Sequence, residues 1–340
     1  MPRTTGSGPN RSDLRKERKK KHYVLRTVLL ILLVLVVSGT CYGVYKWHEL
    51  NPVNHFSNLK TISEPAKKTY KQSSGTFNVL LIGSDARPED KTGHTDSMVL
   101  IHADLKTHKY NLLSIPRDSR FYMEGIGYTK LTSVQAVYQA KYGTQEGIIR
   151  TVKTISSFTG APINYYAETN YWGFQDMVDA IGGIDMNLPF DVKLTHPWYR
   201  HNYGKIFKAG LHQSLNGEMV TEIVHERYSL PGTDYGRQKL QEAALIGVAK
   251  KMMQPANVTR FPALAKSLSK FLVATNLSTD DMISIGLGVK SNFQPDKQFN
   301  YLQIQGQDVS MYDDVLKANN DEILLPRTEL RQLIEKYFTN

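Results

Sequence analysis

The sequence predicts a three-layer α/β/α domain with a mixed central sheet, preceded by one N-terminal transmembrane helix. Three observations predict it. From Phe77 onward, short β-rich runs alternate with segments of helical periodicity. Before them, TVLLILLVLVVSGTCYGVY runs from Thr27 to Tyr45 without a charge. Directly ahead of that stretch, RSDLRKERKKKHYVLR at 11–26 is strongly basic.

An uncharged stretch of ~20 residues at ~1.5 Å rise covers a bilayer core of ~30 Å. Tyr42, Tyr45 and Trp47 gather at its far end, where interfacial aromatics belong. The basic flank lies on the N-terminal side. The positive-inside rule therefore places 1–26 as a cytoplasmic tail, 27–46 as the membrane helix, and the rest outside the cell membrane. Much of the net charge of +10 sits in that tail. It reads as a topology signal that also touches anionic lipid. No DNA-binding fold accompanies it, so no nucleic acid is expected. A cleaved signal peptide is the competing reading, but its apolar core would be shorter, and SGTCYG is a poor cleavage site. Cys41, the only cysteine, lies in the span, and its lipobox is weak. The outer part thus has no disulfide and must be held by its core.

Residues 47–76 are polar and mixed, and read as an extracellular stalk. The domain then occupies 77–340. FNVLLIG, SMVLIHADL and YNLLSIP read as strands, the last two joined by a KTHK hairpin. LTSVQAVYQAKYG and TQEGIIRTVKTISSFTG carry apolar residues at helical spacing, each closed by glycine. INYYAETN is a strand, YWGFQDMVDAIGG a helix stopped by Gly182 and Gly183, and IDMNLP a strand. LNGEMVTEIVHERY, YGRQKLQEAALIGVAKKMM and NLSTDDMISIGLGVK follow as helices, the last capped by Asn276 or Ser278.

The residues able to carry chemistry sit at the ends of these elements, where α/β folds place ligands. Asp85 closes the first strand and Asp96 opens the second. Two readings stay open: a pair sharing one hard cation such as Mg²⁺, or two loop acids capping turns. SIPRD at 114–118 puts Arg117 and Asp118 at a strand tip, where a planar guanidinium suits phosphate oxygens and a surface ion pair is the plainer alternative. Arg227 ends one helix, which dipole compensation explains. Arg237 begins the next, where a cation is disfavoured unless an anion docks there.

GSDAR, the Asp96 position, SIPRD, Lys130 in KLT, NYWGFQDMVDAIGGID, LNGE and DYGR occur in one order and spacing. That ordered set resembles the LytR-CpsA-Psr family from about Phe77 to Met253, and more weakly toward the C-terminus. The resemblance implies a transferase of phosphorus-containing groups. It would take a glycopolymer such as teichoic acid or capsule from an undecaprenyl-pyrophosphate carrier and link it to peptidoglycan. It implies that Asp85 and Asp96 hold Mg²⁺ (or Mn²⁺). Arg87, His94, Arg117, Lys130, His225, Arg227, Arg237 and Gln241 would bind the pyrophosphate, and Arg117, Arg227 and Arg237 would act in catalysis with the two aspartates. The lipid tail would thread a tunnel between sheet and helices. The apolar helix faces in 131–159 and 171–181 are explained equally well as core. His94, His225 and Leu240 stand where arginine is expected, so the pyrophosphate cage is thinner. Two readings of both histidines stay open: cations only when protonated, or neutral hydrogen-bonding side chains. A polyprenyl-phosphate binder without turnover and a polyprenyl-pyrophosphate hydrolase remain the alternatives.

Overall fold

The computed structural model describes residue 40 and residues 42–57, 59–62, 73–87, 89–258, 261–268, 270–289 and 293–339. Two compact units divide between Leu50 and Asn51. In the first, residues 42–49 are helical, and Tyr42, Tyr45 and Trp47 are exposed. The basic tail at 1–26 lies outside the described residues, and so does most of the membrane span expected at 27–46. Among the described residues, no helix is long and apolar enough to cross a membrane.

The second unit is built on β1 (Thr76–Ser84), β2 (Thr95–Asp104) and β3 (Lys109–Ser114). The hairpin of β4 (Arg120–Met123) and β5 (Gly127–Lys130) leads into helices α1 (Leu131–Tyr142) and α2 (Thr144–Thr159). β6 (Tyr165–Asn170), α3 (Tyr171–Ala180) and β7 (Ile184–Leu188) follow. Next come two short strands, β8 (Val192–Lys193) and β9 (Ile206–Phe207), and then β10 (Gly210–Leu215). The chain continues through α4 (Gly217–His225), α5 (Asp234–Met252), β11 (Ala274–Thr275) and α6 (Thr279–Val289). It ends with β12 (Phe299–Gln303), β13 (Gln307–Asp313), β14 (Ala318–Leu324) and α7 (Arg327–Tyr337).

The central sheet has the order β11-β6-β1-β2-β3-β12. β1 runs antiparallel to β2 and parallel to β6, and β12 runs parallel to β3, so the sheet is mixed as expected. Alternate residues face opposite sides. Leu80, Ile82, Leu100 and Leu113 pack with Val134 of α1, Val152 of α2 and Ile334 of α7. Phe77, Val79, Val99 and Leu112 face the other side, with Leu245 of α5 and Ile285 of α6. A third cluster joins α3, β7, α4 and α5 through Val178, Ile184, Val220 and Leu240. The helix faces of 131–159 and 171–181 thus supply core.

The KTHK turn is held by the Asp104 carboxylate, which accepts from the backbone N–H groups of Lys106 and Thr107. Ser278, not Asn276, caps α6. Its Oγ accepts from Asp281 N–H while Asp281 accepts from Ser278 N–H, a reciprocal capping box. The Asn276 side chain instead bonds the backbone of Tyr166 and Asn164.

Part of the segment read as a stalk packs onto the domain. Phe56 is fully buried against Phe77, with ring centroids 4.5 Å apart. His55 Nε2 lies 2.8 Å from Asp281 Oδ1, and Ile62 N–H donates to Ile163 O. A lone aromatic in a polar stretch gave no periodic signal. Phe56→Ala should therefore cost the domain about 3–5 kcal/mol, as for other buried aromatic truncations. Denaturant unfolding of the full chain measures it, and a loss under ~1 kcal/mol would mean the segment contributes nothing to the core.

Candidate functional site: carboxylates and arginines at the strand ends

β1 and β2 pair in regular register up to Gly83↔Ser97, then shift to Ser84↔Thr95. Asp96 is the extra residue of that bulge, a device that re-aims a side chain at a strand end. The loop back to Asp85 is short and closed on itself. Asp85 N–H donates to His94 O, His94 N–H donates to Asp85 Oδ1 at 2.6 Å, and His94 Nδ1 lies 3.2 Å from Asp85 Oδ2. Gly93 is required here, because a Cβ would meet the Ala86 methyl at 2.7 Å. Burial alone would raise the Asp85 pKa, but the His94 hydrogen bonds outweigh it and hold it below the usual range. The Asp85 bond in turn raises His94, against burial.

The cations meet these carboxylates from three directions. Arg117, just past β3, pairs with Asp96. Arg237, in the first turn of α5, pairs with Asp234 and donates to the Asp96 backbone oxygen at 3.3 Å. Asp118, only 5% exposed, lies 3.1 Å from both Lys130 and Arg227 and 3.9 Å from Arg117. Gln241 is placed by Ser97, whose hydroxyl donates to its Oε1. Burial lowers the Arg237 pKa. For Arg117 burial works the same way, but Asp96 and Asp118 overcome it and raise the pKa. Both arginines keep a buried Nε–H with no acceptor among the described residues. Thr233, just before α5, has φ 47°, a region costly for a β-branched residue, so the helix entry that aims Arg237 is strained.

Asp96, Arg117, Lys130, Arg227 and Arg237 therefore fall on one linked set of contacts through Asp118 and Asp234, while Asp85 is bonded to His94 and Gln241 to Ser97. Other expected residues stand outside this set. The Arg87 guanidinium is exposed and makes no ion pair among the described residues. Leu240 is wholly buried in the third apolar cluster and does not stand in the cage. For His225 burial lowers the pKa more than Asp96 raises it, the opposite direction to His94. Its ring packs against those of Tyr171 and Trp198.

Sequence reasoning missed the anchoring carboxylates Asp118 and Asp234. Their signal was present, each standing one or three residues from an arginine of the site. It also missed Glu168 on β6, which is fully buried beside Ser84 and bonded by Gln135 of α1 at 2.9 Å.

Among the described residues, no group of three or more His, Cys, Asp or Glu side chains forms a metal set. Asp85 and Asp96 still fit a hard divalent ion. Mg²⁺ is usually held by one or two carboxylates, with waters and substrate phosphates completing the shell. The charges agree. Asp85, Asp96, Asp118 and Asp234 match Arg117, Lys130, Arg227 and Arg237 one for one. A divalent cation on the first two would leave the site positive, ready for a pyrophosphate.

Carboxylates and arginines gathered at the strand ends of a mixed α/β domain are the donor set that a phosphorylated ligand would call for. The chain belongs to the LytR-CpsA-Psr family, whose model matches residues 47–335. It is 32% identical over 282 residues to the polyisoprenyl-teichoic acid–peptidoglycan teichoic acid transferase TagU of Bacillus licheniformis, covering 81% of this chain and 85% of that one. TagU of Bacillus subtilis is 31% identical, over 79% of this chain and 83% of its own. The crystal structure of B. subtilis TagV shares the fold, with a TM-score of 0.63 at 24% identity, covering 77% of this chain and 97% of that chain.

Glu168 gives a pH signature. Burial pushes its pKa up to about 7 from 4.5, against the Gln135 hydrogen bond and the neighbouring Ser84 hydroxyl. The folded state thus binds more protons than the unfolded chain across that window, so stability falls as pH rises from about 4.5 to about 7 and then levels. Glu168→Gln should remove this component and stabilise the protein above pH 7 by up to a few kcal/mol. Urea unfolding at pH 5 and pH 8 measures it, and identical pH dependence in both proteins would show that Glu168 is ionised in the fold.

Proposed function

We propose that the chain is a membrane-anchored phosphotransferase of cell-wall assembly. It moves an anionic or capsular glycopolymer from an undecaprenyl-pyrophosphate carrier to peptidoglycan. The observation that carries this reading is the pair of buried, acceptor-less Nε–H groups on Arg117 and Arg237, beside a carboxylate pair with hard oxygen donors. The similarity to transferases named for teichoic acid and peptidoglycan supports it. In this reading the basic tail is cytoplasmic, one helix crosses the membrane, and the domain works outside.

The transfer needs positioning and charge neutralisation more than covalent catalysis. An acceptor hydroxyl attacks the phosphorus that bears the glycopolymer. The bond from that phosphorus to the bridging oxygen breaks, the hydroxyl proton is released, and the lipid leaves as its monophosphate. Arg117 and Arg237 offer fixed donors to the phosphate oxygens, Lys130 and Arg227 add charge, and Gln241 is a neutral donor. Mg²⁺ or Mn²⁺ held by Asp85 and Asp96 supplies Lewis-acid neutralisation when bound. The leaving pyrophosphate bond carries its own driving force, so no nucleotide is required.

A second reading, a polyprenyl-phosphate binder without turnover, is favoured by one specific observation. His225, its pKa lowered by burial, and buried Leu240 leave the cage two cations short of the family pattern. Measuring polymer transfer alongside lipid binding separates the two.

Asp85→Ala and Asp96→Ala should each abolish transfer while the protein still unfolds cooperatively, and chelation should do the same to the native enzyme. Full transfer by Asp85→Ala without divalent metal would end the shared-metal reading. Arg117→Lys should lose about 10²–10³-fold in kcat, nearly as much as Arg117→Ala, because a point charge cannot reproduce the guanidinium fork. Full rescue by lysine would reduce Arg117 to a general positive charge.

A further inference from the structure

Beside the cage stand four rings that the transfer chemistry does not use. Tyr171 and Trp172 open α3, Trp198 lies in the loop between β8 and β9, and His225 ends α4. Ring centroids are 5.2 Å apart for Tyr171–Trp198 and 5.6 Å apart for Trp172–Trp198 and Trp198–His225. His225 is two residues from Arg227, so the cluster is continuous with the phosphate cage. Its outer edge is open, with Trp198 39% exposed.

This exposed aromatic surface is held firmly. The backbone N–H groups of Trp198 and Tyr199 donate to Glu222 at 3.0 and 2.8 Å. The N–H and hydroxyl of Thr195 donate to Glu226 at 2.6 and 2.8 Å. Glu226 also accepts from the N–H groups of Arg227 and Tyr228. Two carboxylates of one helical segment therefore set the Trp198 loop and the Arg227 backbone in a common frame. The apolar core does not call for this, since Val220 and Ile223 of α4 already face it. A rigid ring surface, apolar on its face and polar at its edge, suits a sugar. The C–H face of a pyranose stacks on it, and ring N–H groups reach hydroxyl or acetamido oxygens.

The charge beneath the rings selects between the two glycans of the reaction. Glu222 and Glu226 underlie the surface, and among the described residues no lysine or arginine stacks on these rings. A polyanionic glycopolymer would want a basic track there. An amino-sugar glycan needs none. We infer that the shelf of Tyr171, Trp172, Trp198 and His225 seats a pyranose ring of the peptidoglycan glycan strand, and so brings the acceptor hydroxyl to the phosphate. This rests on the phosphotransferase reading.

The shelf holds two of the three tryptophans, the third being Trp47, so intrinsic fluorescence reports on it. The full-length chain is titrated with N-acetylglucosamine–N-acetylmuramic acid oligosaccharides released by a muramidase, their lactyl carboxyls capped as amides so that the probe is uncharged like the amide-linked strand. In a separate arm, N-acetylglucosamine 1-phosphate probes the donor side. The oligosaccharide should change the emission saturably. Trp198→Ala should weaken its binding by about tenfold, the equivalent of ~1.4 kcal/mol, and Trp198→Phe should restore it to within about threefold. Arg117→Ala should leave glycan binding unchanged. In transfer assays Trp198→Ala should raise the acceptor KM and leave the donor KM unmoved. The inference is overturned if no saturable glycan signal appears, or if Trp198→Ala binds glycan normally. It is equally overturned if Trp198 proves to matter for the sugar phosphate and not for the glycan. Transfer with a Trp198-independent acceptor KM sinks the shelf and keeps the transferase. Trp198-dependent glycan binding without any transfer keeps the shelf's glycan and sinks the transferase.

Discussion

One buried carboxylate organises the working end of this molecule. Asp118 meets Lys130 from the end of β5, Arg227 from beyond α4 and Arg117 from its own chain neighbour. Left alone, three such cations would repel one another, and at short range in a half-buried setting that repulsion is worth several kcal/mol. Asp118 turns the repulsion into a joint. Its backbone oxygen also accepts from Ile323, and Ser119 bridges to the same residue, so the C-terminal hairpin is set from the same point. Burying a carboxylate is costly, and a network of this kind secures geometry more than stability.

The chain's own side chains pair with one another across the site. Arg117 occupies Asp96, His94 occupies Asp85, and Asp234 occupies Arg237. In the proposed reading, a phosphorylated ligand and its cation would compete with contacts already made. The two histidines show how far surroundings decide a role. His94, half-exposed and bonded to a carboxylate, is pushed toward the charged form. His225, wedged among aromatic rings, is pushed away from it.

The sheet and its helices were legible because their signals are local. β1, β2 and β3 are apolar runs broken by turn residues, and α1 to α4 and α6 carry caps or glycine stops. Asp85, Asp96 and Arg117 were legible because they sit at the ends of such runs. What escaped was set by distant partners. β12 joins the sheet edge by pairing with β3, far away in sequence, and has little pattern of its own. Asp118 looks like any turn acid until Lys130 and Arg227 arrive beside it. The inward turn of Leu240 and the lowered pKa of His225 depend on what packs against α5 and α4, and no short window of sequence contains that.

Helix α5 presents Arg237 and Gln241 to the carboxylates at the strand ends, and Leu240 and Ala244 to the third apolar cluster. One rod is thus read from two sides. An arginine acquired at 240 would arrive first as a buried charge in the interior. It would gain contact with a phosphate only if the helix rolled or the cluster beneath it opened. Relieving that buried charge would take a change in the packing of the cluster around it. The order in which substitutions can accumulate along this helix is set by its buried side, even where the selective pressure falls on the exposed one.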